Sequence, residues 1–168
     1  MTIQEHIKQL QQSNKEFKEW FDNDLPRIVG VEAVNFFTES FQNEGFTNQT
    51  LVPWKEVKRR ENPRPNRAAD TQKILSQSGN LGRSIEFTAE PGQVTIFSEL
   101  DYAEVHNEGF SGTVSVKSHT RNRNGNTYTV RSHTRNVTIP KRQFIGDSET
   151  LDRKVEKIME DGVKKILK

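Results

Sequence analysis

His106 stands among Asp101, Glu104 and Glu108, and a histidine beside carboxylates is the raw material of general acid–base catalysis. The same four side chains on a short exposed helix also make an ordinary solvated surface. That is the plainer reading, and such acids suit the basic segment of a neighbouring copy. Metal chemistry needs three or four ligands converging at about 2.0–2.3 Å on one ion. The histidines are His6, His106, His119 and His133, with no His-x-x-x-His spacing and no cysteine anywhere, so no metal centre is expected. Ser76-Gln77-Ser78-Gly79, Gly79-Asn80-Leu81-Gly82 and Ser111-Gly112 form neither a nucleophile elbow nor a phosphate loop. No catalytic residue and no cofactor is expected.

Charge is distributed far less evenly than the net value suggests. Between Glu108 and Asp147 there is no acidic residue, yet Lys117, Arg121, Arg123, Arg131, Arg135, Lys141 and Arg142 fall there, a charge of +7. The whole chain has 25 Lys and Arg against 23 Asp and Glu, so the remainder holds 18 against 23, or −5. A basic segment on an acidic remainder attracts an acidic partner, either nucleic acid or a carboxylate-rich protein surface. Only Tyr128 interleaves the cations as an aromatic, which is poor provision for stacking single-stranded bases.

The elements that must position these residues follow from periodicity. Thr2 and Glu5 form a capping-box pattern ahead of Ile3, Ile7, Leu10, Phe17 and Phe21, predicting a helix over about 3–21 with Asn14 in its apolar stripe. Asp22-Asn23-Asp24 reads as a break, with Asp24 capping a second helix whose stripe is Ile28, Val31, Val34, Phe37 and Phe41 and whose end is Gly45. Residues 46–73 read as an irregular, partly mobile crossing with Pro53, Pro63 and Pro65. They are set among Lys55, Lys58, Arg59, Arg60, Arg64 and Arg67, cations read as solvated, and the apolar anchors are Phe46, Leu51, Val52, Trp54 and Val57.

Alternation of Ile85, Phe87 and Ala89 with Val94 and Ile96 across Pro91-Gly92 predicts a β-hairpin, and residues 101–109 a short helical turn stopped by Gly109. The hexapeptide Val116-Lys117-Ser118-His119-Thr120-Arg121 nearly recurs as Val130-Arg131-Ser132-His133-Thr134-Arg135 around Asn124-Gly125. Asn-Gly supplies the two positive-φ residues of a type I′ turn. A long hairpin is therefore expected, about 113–121 with 128–138, in which His119 faces Val130 and His133 faces Val116. Neither face is cleanly apolar, so it projects. A last helix over about 148–167, capped by Asp147, carries Leu151, Val155, Ile158, Met159, Val163, Ile166 and Leu167, with Lys164, Lys165 and Lys168 at its end and Gly162 as a weak point.

The chain of 168 residues has a mean hydropathy of −0.86, low for a self-sufficient core, although ten Phe and two Trp argue against disorder. Either part of it is extended, or neighbouring subunits complete its fold. The start of the chain offers no secretory signal, and no apolar run is long enough for a membrane span. The expected division is a helical segment 1–45, a basic Pro-containing linker 46–73 and an α+β domain 74–168 that forms one globular unit with 1–45.

Three patterns occur in order: Ser78-Gly79-Asn80-Leu81 with Ser84-Ile85; Tyr102-Ala103-x-x-His106-Asn107-x-Gly109; and Ile139-Pro140-x-Arg142-Gln143-Phe144-Ile145-Gly146. Together, over roughly residues 50–168, they resemble the phage virion morphogenesis family, the tail-completion proteins of contractile-tailed and Mu-like phages. Trp54 with Arg59-Arg60 resembles that family's upstream segment more weakly, and the N-terminal helices depart from it.

The resemblance implies an α+β fold like that of tail terminators: an antiparallel β-sheet with the long projecting hairpin, packed against N-terminal and C-terminal helices. It implies a ring of copies, six by analogy, at the virion neck or tail end, assembled in the host cytoplasm against tail-tube or head-connector proteins. It brings no catalytic residues. Gly79, Leu81, Tyr102, Ala103, His106, Gly109, Pro140, Arg142, Phe144 and Gly146 become structural or subunit-seam candidates. Among them Tyr102 and Phe144 suit a core or seam, and Arg142 suits a carboxylate partner. Lys117, Arg121, Arg123, Arg131 and Arg135 become a partner-facing or DNA-facing surface. The leading reading is thus a structural protein of phage assembly. A nucleic-acid-binding module using hairpin 113–138 is the alternative, and an enzyme acting through His106 or Glu104 comes third.

Overall fold

The computed structural model describes residues 2–61, 67 and 71–167. The expected Pro63, Arg64 and Pro65 of the crossing and the terminal Lys168 lie outside the described residues. The first helix, α1, runs Ile3–Glu19 and starts on the expected capping box: the Glu5 amide donates to Thr2 Oγ1 (3.3 Å) and the Thr2 amide to Glu5 Oε2 (2.6 Å). None of its residues is buried, and Ile3, Ile7 and Leu10 stay exposed.

The break expected at Asp22-Asn23-Asp24 is not there. Trp20–Asp24 form one π-helical turn, closed by the Leu25 amide on the Trp20 carbonyl, and the chain continues directly into α2, Leu25–Asn43. Asp24 makes no side-chain cap. The reason is Pro26, which can neither donate to nor tolerate the carbonyl of residue 22 in α geometry; a wider i→i+5 turn before it lets the helix continue.

The buried face of α2 also differs from the expected stripe. Phe37 and Phe41 are buried, but Ile28 and Val31 point to solvent, and Gly30, Ala33 and Ser40 line the packed side with Pro26. A Cβ on Gly30 would stand 2.2 Å from the Phe87 ring. The β3–β4 hairpin rides so close to α2 here that small residues mark the contact, which a hydropathy stripe does not register.

Helix α2 ends at Glu44, in left-handed conformation (φ 51°), one residue before Gly45. The crossing is more ordered than expected in its first half: β1 (Gly45–Thr47) pairs with β2 (Leu51–Pro53), and α3 covers Lys58–Glu61. Of its anchors Phe46 and Trp54 are buried and Val57 packs on the core, whereas Leu51 and Val52 are exposed. Arg59 and Arg60 are not merely solvated. Arg60 pairs with Glu44 and Glu56, and Arg59 donates to the carbonyls of Gln72 (2.9 Å) and Lys73 (3.1 Å).

Then come α4 (Asn80–Arg83), the hairpin β3 (Ile85–Glu90) and β4 (Gln93–Ser98), and α5 (Ala103–Glu108). The arm follows as β5 (Phe110–Val116), β6 (His119–Arg123), β7 (Asn126–Val130) and β8 (His133–Ile139), and α6 (Glu149–Ile166) closes the chain. Ser148, not Asp147, caps α6: its Oγ accepts the Leu151 amide (3.2 Å) and donates to the Thr47 carbonyl (2.9 Å). Gly162 is a packing site as well as a weak point, since a Cβ there would meet Trp20 at 2.1 Å. The class is α+β as expected, and among the described residues the strands pair as four two-stranded antiparallel ribbons. The core joins Phe36, Phe37 and Phe41 of α2 with Phe46, Trp54, Ile74, Leu81, Ile85 and Phe144.

Candidate functional site

The second and third sequence patterns meet, and Asn107 ties them. Its Oδ1 accepts the amides of Phe144 (2.8 Å) and Ile145 (3.0 Å), and its Nδ2 donates to the Ile145 carbonyl (3.1 Å). The Arg142 amide donates to the His106 carbonyl (2.9 Å). Trp54 Nε1 donates to the Gln143 carbonyl (2.7 Å), so the upstream Trp joins the same knot. Phe144, 1% exposed, fills the centre against Phe41, with ring centroids 5.2 Å apart. Buried Arg142 is held by the Lys55 main-chain carbonyl through Nη2 (2.9 Å) and Nε (3.2 Å). Within the protomer its hydrogen-bond partner is thus main chain.

Of the remaining motif positions, Leu81 and Ala103 are buried and Tyr102 is exposed, its ring edge-on to His106 at 6.1 Å. Gly79 precedes α4, Pro140 follows β8 and Gly146 precedes α6. Gly109 (φ 79°) ends α5 where a Cβ would meet the Lys141 amide nitrogen at 2.7 Å, so the chain can enter β5 there only as glycine. His106 is half-buried with Nδ1 unpartnered, and burial, then the nearby Arg142 charge, holds its pKa below the ordinary 6.5. Burial, then Arg59, also lowers Arg142. Glu108, joined to Lys141 Nζ (3.0 Å), is held below the usual carboxylate range by that hydrogen bond first. Asp101, Glu104 and Glu108 are exposed. Among the described residues no group of three or more His, Cys, Asp or Glu is placed to hold a metal ion.

The basic segment forms the expected long hairpin in the expected register, with His119 opposite Val130 and Val116 opposite His133. Asn124 (φ 54°) and Gly125 (φ 82°) make the turn. The duplicated hexapeptide has a structural result. Pairing lapses at 117–118 and at 131–132, which lie opposite each other, and each following histidine contacts the carbonyl two residues back: His119 Nδ1 to Lys117 O and His133 Nδ1 to Arg131 O, both 3.0 Å. The hairpin is thus a stem, β5–β8, and a tip, β6–β7. No helix or other strand packs broadly on either.

Alternation sorts the residues of each half. One stem face is Ser111, Thr113, Ser115, Thr134, Asn136 and Thr138; the other holds Phe110, Val114, Val116, Val137 and Ile139 together with His133 and Arg135. In the tip, Thr120, Asn122, Thr127 and Thr129 share a face, while His119, Arg121, Arg123, Tyr128 and Val130 share the opposite one. Among the described residues no carboxylate lies within ion-pair distance of Lys117, Arg121, Arg123, Arg131 or Arg135.

Asn107 and Glu44 were not foreseen as organising residues. Asn107 stood inside a quoted pattern, and that was its only signal. Glu44 carries none: it accepts the Ile74 amide and binds Arg60 bidentately (Nη1–Oε2 3.0 Å), which holds its pKa down.

Fold and site together define a small α+β protein whose distinctive chemistry lies on an exposed arm and in a structural knot. The chain belongs to the phage virion morphogenesis family, whose profile matches residues 37–164. Its role is accordingly structural, in building the phage virion. The matched span contains the knot and the arm and excludes α1. No curated protein and no solved structure matches the chain. No helix among the described residues is long and apolar enough to cross a membrane.

Proposed function

We propose that the protein completes the phage tail or joins it to the head, as one copy in a ring at the virion neck, six-membered by analogy with tail terminators. The observation that carries this is the arm, a family-matched hairpin with five cations and no acid that leaves the body and finds no layer of its own protomer to lie on broadly. An isolated two-stranded ribbon is marginal in water, so such an arm belongs to a surface supplied by something else. In this reading the body forms the ring wall, the knot fixes the arm's root, and the arm meets a neighbouring protein or the DNA that passes the neck. Tail-tube or head-connector proteins are the outside partners.

The test is a phage from which this gene is deleted. Electron microscopy of its lysate should show filled heads and tails that are unjoined or abnormal in length, restored by the gene supplied in trans. Normal joined particles would refute the reading. The alternative, a nucleic-acid-binding module, draws on the five cations without acidic partners. It requires duplex binding that weakens linearly in log–log form with salt.

A further inference from the structure

The residues just before the arm are its electrostatic opposite. From Ser84 to Glu108 there is no Lys or Arg, while Glu86, Glu90, Glu99, Asp101, Glu104 and Glu108 give −6. All six are exposed, and Glu108 is joined to a cation, Lys141 at the arm's root. The fold turns Glu86 and Glu90 to one face of the β3–β4 hairpin. Ile85, Phe87 and Ala89 face α2, so the alternate residues Glu86, Thr88 and Glu90 face outward, joined across the ladder by Phe97, Thr95 and Gln93. That surface is acidic with one half-buried ring, and the chain after β4 carries exposed Asp101 and Tyr102 ahead of Glu104 in α5.

The arm matches this in kind. In the tip Arg121 and Arg123 share a face with Tyr128 and Val130, in the stem Arg135 shares one with the aliphatic residues, and the paired residues on the opposite faces are Ser, Thr and Asn. It cannot satisfy its own acids, because it leaves the body at Gly109 and its five outer cations meet none of them. Fourteen residues from Phe110 to Arg123 reach about 45 Å when extended, several times the radius of gyration of about 15 Å expected for a compact chain of this length.

We propose that the cationic tip face of the arm, with Arg121, Arg123, Tyr128 and Val130, seats on the acidic outer face of β3–β4 and the start of α5 in a second copy of this chain. The contact is heterologous, so it repeats around a ring. It rests on the ring reading above and names the surfaces that close it. Duplex DNA is the weaker partner, because it would leave the acidic block unmatched.

The test uses full-length protein in two charge-reversed forms. One carries Arg121→Glu, Arg123→Glu and Arg131→Glu; the other carries Glu86→Lys, Glu90→Lys and Glu104→Lys. Sedimentation velocity should show the native chain assembling with concentration and dissociating as salt rises. Each variant alone should need about tenfold more protein to assemble. An equimolar mixture should assemble like the native chain, because reversed arms then meet reversed bodies in alternation. The proposal is overturned if the arm variant assembles normally, if the mixture fails while both variants melt at the native temperature, or if the native chain stays monomeric throughout. Loss of duplex binding in the arm variant with unchanged assembly also overturns it, in favour of DNA. Any of these leaves the tail role standing or falling on the deletion phage alone.

Discussion

Asn107 is uncharged and holds two segments together at the arm's root. Its side chain replaces the strand partner that Phe144 and Ile145 lack. Asn107→Ala strands two part-buried amides and should cost about 1–3 kcal/mol in urea unfolding. Asn107→Asp, which keeps the acceptor, should cost less. His106 gives a pH signature. Its folded pKa is depressed, so the unfolded chain takes up the proton first, and stability present above pH 6.5 is lost as pH falls below that value. Glu44 and Glu108, also depressed, add a second loss below about pH 4.5. Melting temperatures of native protein and His106→Gln should converge toward acid over the first window, and parallel curves there would contradict the assignment.

Element contacts turn on small residues as much as on large ones. Gly30 and Gly162 look like flaws in helices by propensity, yet each receives an aromatic ring from another element. Gly30→Ala gains up to about 1 kcal/mol of helix propensity but pushes against Phe87 at 2.2 Å, an overpacking cost of about 1–3 kcal/mol. The net should be destabilisation, relieved in part when Phe87→Leu is added. A stabilised single variant would mean that β3–β4 is free to slide on α2. Helix α1 is the opposite case. Its capping box and periodicity make it legible, none of its residues is buried, and it lies outside the family match.

At the scale of the molecule, the low apolar content goes with a small core and with faces the protomer leaves open or half-covered: the first turns of α1 are exposed, and the stem's aliphatic residues are half-buried. The Lys117/Arg121/Arg131/Arg135→Gln variant should melt within about 0.5 kcal/mol of the native protein, because these exposed side chains lie on a ribbon that packs broadly on no other element among the described residues. Strong destabilisation of the isolated chain would show that the arm folds back on its own body.

Local rules determined the capping box of α1, the type I′ turn at Asn124-Gly125, both hairpins with the arm's register, the α+β class and the family. In each case the deciding interactions lie within a few residues, or across a turn whose chemistry fixes the pairing. Tertiary structure alone decided that Asp22-Asn23-Asp24 continues a helix around Pro26, that α2 packs by Gly30 and Ala33 instead of Ile28 and Val31, and that Ser148 takes the cap from Asp147. It also decided that Asn107 and Glu44 serve distant backbone amides. Those outcomes depend on how closely a remote segment approaches, and that distance is set by the whole packed core, which no single stretch of sequence encodes.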